Sequence, residues 1–508
     1  MINLAITLLS AIIFGAIGRV LVNMVRSKVN LEFYRYQGAT IHFDALMGFF
    51  GLFSKSHAEN KFKSNMNYFM KLCLNGTDHG IVAVNQPLSS KCAVLVYDSD
   101  LVKETLLHEK LFIKKPFLDD VCKITGFFHQ NGDEVMKRKA VFLKIFSFQG
   151  ADELYITISK LIIQYITEFN INNKISSDSF SKIDLNKFFK PLMSSISYYV
   201  ITGEISTVIP DYIADMNRFL VEMYDAVYKQ FEDPIFVLFP MVTEKLRLGV
   251  FFKTFDRNYP RQLNIATQML NEREKTPANG NSVLDRVIQH NRTCKAQDKL
   301  EEIISPAEFV GIYNVFFFAG TDTSMATSSA MICHMADKPD IQKCLISISE
   351  EVYGSTGQAP VESIDENERL EMFTKEVLRL FSPLQYQQER VATRDLKLGQ
   401  YHIKAGDRVF VMYAALHRNP EVYSQPDTFQ GDRFSKENDK DRPKYQYIPF
   451  SIGQRVCLGR HLGVLMVKLL LTEFVRNYEI RKPDGQEYYS FAMLTAKIES
   501  PLVLVRSK

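Results

Sequence analysis

The ten residues Phe450-Ser-Ile-Gly-Gln-Arg-Val-Cys-Leu-Gly459 constrain this chain more than any other stretch. They set one thiol, Cys457, between Gly453 and Gly459, with Arg455 two residues ahead of it. An apolar helical pattern follows at Leu458, Leu462, Leu465, Met466 and Leu469. Glycine has no Cβ, so the backbone can turn tightly there and approach a flat molecule closely. Arginine brings a permanent charge and a forked donor suited to a buried carboxylate. A cysteine at the start of a helix meets partial positive charge and free N–H donors, which lower a thiol pKa. A sulfur presented in this way can ligate a haem iron axially. The plainer alternative is a buried apolar cysteine beside a helix cap.

The other six cysteines, at 73, 92, 122, 294, 333 and 344, are widely spaced and form no C-x-x-C pair. That pattern offers no zinc site, no covalent haem attachment and no secreted disulfide framework, and it fits a reducing compartment. A net charge of +3 over 508 residues lacks the basic excess of a nucleic-acid binder, so no nucleic-acid partner is expected. No Gly/Ser- or Pro-rich linker interrupts residues 50–500, and no repeat is evident, which predicts one large domain over residues 29–508. Ahead of it, Ile2–Val22 is an apolar run with positive charges (Arg19, Arg26, Lys28) at and beyond its end. Its length suits a bilayer span. The charge asymmetry keeps the following domain on the cytoplasmic side, so residues 1–28 are expected to be an uncleaved anchor rather than a signal peptide.

The motif Phe450, Gly453, Arg455, Cys457, Gly459 resembles the F-x-x-G-x-R-x-C-x-G loop of the haem-thiolate monooxygenases, the cytochrome P450 family. Three earlier stretches extend the resemblance. Ser305-Pro306-Ala-Glu308 is a capping box opening a long apolar pattern through Phe309, Ile312, Phe316, Phe317, Met325, Met331 and Met335. In its middle, Ala319-Gly320-Thr321-Asp322-Thr323-Ser324 is similar to the family's oxygen-binding segment. Poor helix formers clustered there predict a local widening of the helix. Glu376-Val-Leu-Arg379, on a helix expected from Ser363 to Pro383, matches the family's E-x-x-R pair. Phe429–Phe434 resembles its F-x-P-E-R-F stretch, with Gly431-Asp432 in place of Pro-Glu.

The resemblance implies a fold and a set of site residues. The fold class is mainly α (α+β), a large helical haem domain with a small β-sheet portion, joined to the N-terminal membrane anchor. Cys457 is the implied axial ligand of a b-type haem (heme). Phe450, Gly453, Arg455, Gly459, Gly320, Arg390 and Lys139 are expected to bind the cofactor, and Asp322 and Thr323 to be the acid–alcohol pair that delivers protons to oxygen. Glu376, Arg379 and Arg433 are expected to form a structural network. Lys139 stands where the family's propionate-binding basic residue falls, with Arg138 as its neighbour alternative, and the tryptophan usual in that helix is missing because the chain has none. His417 reads equally as a haem-side or a turn residue. Helical periodicity dominates, with short strands expected at Leu396–Ile403 and Arg408–Met412.

The activity implied is insertion of one oxygen atom of O2 into a lipophilic small molecule. Without a dinucleotide fingerprint in the chain, the electrons are expected from a separate NADPH-dependent flavoprotein reductase, with cytochrome b5 as a second donor. Lys137, Arg138 and Arg460 are candidates for the docking surface. Localisation is expected in the endoplasmic reticulum membrane. Phe316–Phe318, Pro234–Pro240 and Phe491–Leu494 supply apolar surface for a substrate. Two alternatives stay open: a haem-thiolate isomerase or dehydratase acting on lipid hydroperoxides, and a haem-binding sensor without catalysis.

Overall fold

A computed structural model of the chain describes residues 2–43, 73, 80–85, 90–115, 120–205, 211–233, 236, 240–278, 280–336, 338–354, 359–387, 389–492 and 495–508. Most of Pro234–Pro240, and Met493 with Leu494, lie outside the described residues. Nine helices position the site: α1 (Ile2–Arg35), α2 (Asp133–Phe142), α3 (Phe148–Asn172), α4 (Leu185–Thr202), α5 (Asp211–Glu232), α6 (Val250–Glu274), α7 (Pro306–Met335), α8 (Glu368–Phe381) and α9 (Arg460–Asn477).

The strands are short: β1 (Thr40–His42), β2 (Ile81–Asn85), β3 (Cys92–Val96), β4 (Phe112–Ile113), β5 (Ser181–Asp184), β6 (Arg390–Ala392), β7 (Leu396–Leu398), β8 (Tyr401–Ile403), β9 (Arg408–Val411), β10 (Tyr478–Arg481), β11 (Tyr489–Ala492), β12 (Ala496–Glu499) and β13 (Leu502–Ser507). Six form a mixed sheet in the order β1-β2-β3-β9-β6-β4, three the sheet β10-β13-β5, and β7–β8 and β11–β12 are antiparallel pairs. The predicted strands at 396–403 and 408–412 thus form, with the turn at Gly399 in the left-handed region (φ +55°).

Helix α7 runs through the core. The Ser305 Oγ caps it, accepting the Glu308 N–H at 3.2 Å, and Pro306 stands in its first turn. Phe309, Ile312, Phe317, Met325, Met331 and Met335 are all buried in a helix that packs mainly against α4, the short helix Val121–Thr125, α6 and α9. The helix is unbroken from Pro306 to Met335, so the expected widening does not occur. The hydroxyls are accommodated within the helix instead. Thr323 donates to the Ala319 carbonyl at 2.5 Å and Thr327 to the Thr323 carbonyl at 2.9 Å. Close backbone packing fixes the opposite flank: a Cβ on Gly311 would come within 2.5 Å of the Gly126 Cα.

The helix expected from Ser363 divides. Val361–Asp365 is a separate turn, and α8 begins afresh behind Asn367, whose side chain caps it by accepting the Leu370 N–H at 2.9 Å. Helix α1 is continuous through residue 28, and its last turns dock on the six-stranded sheet. Leu31 and Tyr34 are fully buried, and the Tyr34 hydroxyl donates to the buried Asp407 carboxylate at 2.5 Å. That carboxylate also accepts the Cys92 N–H at 3.0 Å, so one side chain ties helix to sheet. Among the described residues, Leu300–Met335 is the stretch long and apolar enough to cross a membrane, and it is the buried core helix.

Candidate functional site

The turn carrying Cys457 is closed by backbone bonds: the Cys457 N–H donates to the Phe450 carbonyl at 2.9 Å and the Val456 N–H to the Gly453 carbonyl at 3.1 Å. Ser451 and Gly453 both sit in the left-handed region, at φ +62° and +68°. At Gly453 the positive φ favours glycine, and a Cβ there would also push on the exposed Leu107 side chain at 2.9 Å. Helix α9 starts only at Arg460, which leaves Cys457 three residues ahead of its first turn. The residue is exposed, yet protein surrounds the sulfur closely enough that desolvation dominates its titration. Beside it, a Cβ on Gly459 would meet Phe146 at 3.9 Å, and Phe146 stacks on Phe316 of α7 at 5.2 Å, which brings the turn alongside that helix. Ala319, an exposed residue in the middle of α7, and the half-buried Thr323 one turn later supply accessible groups on a helix that is otherwise largely buried.

Burial pushes the Cys457 thiol up, and the Gly459 N–H with the Lys139 and Arg460 cations only partly offsets it. The expected depression of this pKa is thus not realised, because desolvation exceeds the favourable charges. A thiol held this way ionises readily only in contact with a metal, which deprotonates the sulfur it binds.

Positive charge gathers at the other edge. Lys114, Lys139 and Arg390 are buried. Arg455 donates to the Gln130 carbonyl at 2.5 Å and pairs with Glu109 at 3.2 Å. Desolvation and the neighbouring Arg455 pull Arg390 down to about 10, and desolvation with Arg390 and Arg455 lowers Lys114 strongly. The carboxylates in this cluster are Glu109 and Glu389, and Glu389 already pairs with Arg408 at 3.1 Å. A compact excess of buried cations calls for a multiply charged anion. The two propionates of a haem would meet that demand, with the Cys457 thiol accessible to its iron. The residues present fit the group.

Each sequence-derived candidate has a definite place. The Lys139 ammonium bonds the Gln454 and Val456 carbonyls at 2.7 and 3.0 Å, bracing the cysteine turn from behind. Arg138 turns away to Glu308 at 2.6 Å and the Glu302 carbonyl at 2.7 Å, so it neither substitutes for Lys139 nor presents a docking charge. Lys137 is exposed and pairs with Glu134 at 3.2 Å, and Arg460 is exposed. Gly320 packs against α4. A Cβ there would lie 3.0 Å from Ser197 Oγ, so its smallness lets α7 approach α4. Phe316 packs among Phe127, Phe142 and Phe146, with ring centroids 5.1–6.0 Å apart. Phe317 stacks on Tyr313 at 5.9 Å, and Phe318 on Tyr224 at 4.5 Å.

Glu376 and Arg379 are fully buried and bidentate, at 2.7 and 2.8 Å. Arg433 approaches Glu376 at 3.3 Å, and Arg379 also donates to the carbonyls of His417 and Pro426 at 3.0 and 2.7 Å. His417 belongs to this network. Its Nε2 accepts the Ile448 N–H at 3.0 Å, and burial followed by Arg418, Arg379 and Arg442 pulls it down to about 3.

Several residues at the site carried no sign in the sequence. Lys114 sits over the Phe128 ring at 3.4 Å, and the buried His129 is lowered to about 3 by burial and then by Lys114, Arg390 and Arg455. Thr495 and Lys497 reach Asp322 from the C-terminal hairpin. Lone basic residues in irregular segments have no periodicity that would single them out.

His417 and His129 are both depressed below their ordinary value of 6.5, so they stay neutral in the fold. Below that value the unfolded chain binds protons that the folded chain refuses, and stability falls as pH drops from about 6.5 towards 3. Urea midpoints measured at about pH 7 and about pH 5 are expected to show that fall. His417→Asn, which keeps an acceptor for Ile448, is expected to flatten it. An unaltered pH slope in the variant would remove His417 as a contributor.

Comparison with known proteins decides the family. The sequence profile described as Cytochrome P450 matches residues 49–501. The chain belongs to the cytochrome P450 family. Its cofactor is accordingly a haem whose iron takes an axial cysteine thiolate. Relatives include cytochrome P450 3A41 of Mus musculus, 26% identical over 401 residues and 76% of each chain. Cytochrome P450 3A5 of Homo sapiens is 25% identical over 425 residues, 80% of this chain and 81% of its own. The fold matches the crystal structure of the cytochrome P450DA heme domain with a TM-score of 0.71, at 16% identity, over 89% of this chain and 93% of that one.

Proposed function

We propose that this cytochrome P450 is a membrane-anchored monooxygenase that inserts one oxygen atom of O2 into a lipophilic molecule. Cys457 is its haem ligand. Two electrons come from a separate NADPH-dependent flavoprotein reductase, with cytochrome b5 as a second donor, and the other oxygen atom leaves as water. The observation that carries this reading is the accessible Cys457 on a turn set by Gly453, whose neighbour Gly459 lies against Phe146, the ring that stacks on Phe316 of α7. When bound, the haem supplies oxygen activation. The chain's own residues do the rest. Lys139 holds the cysteine turn in shape through two carbonyls, and Arg455, Arg390 and Lys114 supply the charge for two propionates. Thr323, whose hydroxyl is kept at the Ala319 carbonyl, is the last proton donor towards oxygen, with Asp322 behind it. Phe318 and Tyr224 form an apolar wall against which a substrate packs.

The anchor is supported by α1. Leu21, Val22, Val25 and Val29 are exposed along it, and its end is fixed to the sheet at Leu31 and Tyr34. A helix of 34 residues extends about 50 Å, enough to leave the catalytic body and enter a bilayer. The endoplasmic reticulum, with the catalytic domain in the cytosol, is the corresponding location.

Thr323→Ala tests the proton path. With reductase and NADPH the variant is expected to keep its haem but to pass most of its electrons to hydrogen peroxide instead of product, with product per NADPH falling accordingly. Unchanged partition would contradict the assignment of Thr323. Isotopically labelled dioxygen tests the reaction itself: one labelled atom should appear in product. Label from water, or turnover of a lipid hydroperoxide without reductase, would favour the isomerase reading.

A further inference from the structure

The loop joining α6 to the helix Val283–Ala296 carries groups that the oxidation chemistry does not use. Thr276-Pro277 lies there, with Arg273 three residues ahead of the threonine and Lys275 directly before it. Lys275, Thr276 and Pro277 are all exposed. Proline disfavours helical backbone at the residue before it, so the chain leaves α6 here. Two guanidinium groups from different helices converge on the threonine. The Arg273 Nη1 donates to the Thr276 hydroxyl at 3.2 Å. The Arg292 Nη2 donates to the carbonyls of Thr276 and Glu274 at 3.2 and 2.8 Å. We propose that Thr276 is a phosphorylation site for a proline-directed protein kinase, and that Arg273 and Arg292 clamp the phosphate once it is made.

In the transfer the Thr276 Oγ attacks the γ-phosphorus of ATP, and the new O–P bond replaces the bond to ADP. The hydroxyl proton passes to the kinase's carboxylate base, and no oxidation state changes. The other Ser-Pro pairs of the sequence, at 305, 382 and 500, do not combine these features. The Ser305 hydroxyl caps α7, and Ser382 is buried. Ser500 follows Glu499 instead of a cation and sits at φ +50°.

The charge balance around Thr276 favours a clamp. Asp285 accepts from Arg273 Nε at 2.6 Å and pairs with Nη2 at 2.5 Å, which leaves Nη1 for the threonine. Glu274 pairs with Lys295 at 2.9 Å, and Glu272 accepts from Gln268 one turn back at 2.9 Å. A phosphothreonine carries roughly −1.5 to −2 charges at pH 7 and accepts through three oxygens. The C-terminal end of α6 opposes it with about half a negative charge. Two full guanidinium charges, whose planar forks match phosphate, outweigh that.

Full-length protein, ATP and purified proline-directed kinases form the assay, read by mass spectrometry of the intact chain and its fragments. One phosphate per chain is expected, at Thr276, and none in Thr276→Val. The clamp is read as the rate at which a phosphatase removes that phosphate from the folded protein. Arg292→Gln is expected to speed removal several-fold and to erase the protection from amide exchange that phosphorylation brings to residues 271–285. Arg292→Lys, which keeps the charge and loses the fork, should fall between, and it serves as the probe should the Gln variant fold poorly. Absence of phosphate from Thr276, or equal labelling of Ser500, would overturn the site. Equal removal rates in the parent and both Arg292 variants would overturn the clamp. These readouts need neither haem nor reductase, so the monooxygenase reading stands or falls separately.

Discussion

Glu376→Gln is expected to yield little haem-loaded protein at 37 °C, because it leaves two buried guanidinium groups facing one neutral amide. Glu376 and Arg379 are both completely inaccessible, Arg433 nearly so, and Glu376 additionally accepts the Gln430 N–H at 2.9 Å. Breaking a buried pair by removing one partner costs about 3–5 kcal/mol. A domain of this kind has about 5–15 kcal/mol in total, so the loss consumes a large share of it. Arg379→Lys should not be tolerated either. Lysine cannot make the bidentate bond and still reach the carbonyls of His417 and Pro426. Thermal unfolding of the haem-loaded protein and the haem-to-protein ratio after purification measure both effects. A Glu376→Gln protein with parental midpoint and haem content would show that the network is not needed for the fold.

Cys457→Ser is the second large effect. The hydroxyl that replaces the thiol is far less acidic, so no charged ligand forms, while the turn closed by the Phe450 carbonyl and Gly453 remains intact. Product formation with NADPH and reductase is expected to fall below detection. The variant should fold, because Cys457 contributes no core packing. A variant that retains parental turnover would require another ligand, and none of the other described cysteines that are buried could serve without refolding.

The parts of the site legible in the sequence are those whose chemistry depends on residues close together. Gly453, Arg455, Cys457 and Gly459 lie within one turn, and Glu376 and Arg379 lie one helical turn apart. Ser305 and Pro306 announce the start of α7, and the fold class follows from the family resemblance these motifs carry, with helical periodicity and short alternating strands in agreement. The remainder depends on tertiary meetings. Asp322 meets Thr495 across 173 residues, Lys114 neighbours Arg390 and Arg455 from remote parts of the chain, and a single lysine such as Lys497 on a strand alternating Ala-Lys-Ile-Glu looks like any outward-facing charge. Three local expectations also yielded to context. Hydroxyls of Thr323 and Thr327 bond within α7 rather than open it, Asn367 restarts the helix expected from Ser363, and desolvation outweighs the charges around Cys457. The first two are local hydrogen bonds that override propensity, and the third is a burial term larger than the local field.

The most direct measurement is the absorption difference produced by carbon monoxide on the dithionite-reduced full-length protein. Thiolate ligation by Cys457 predicts a strongly red-shifted Soret band, present in the parent and lost in Cys457→Ser with haem still bound. A Soret band at the position typical of imidazole ligation in the parent, or an unshifted response to the substitution, would contradict the account.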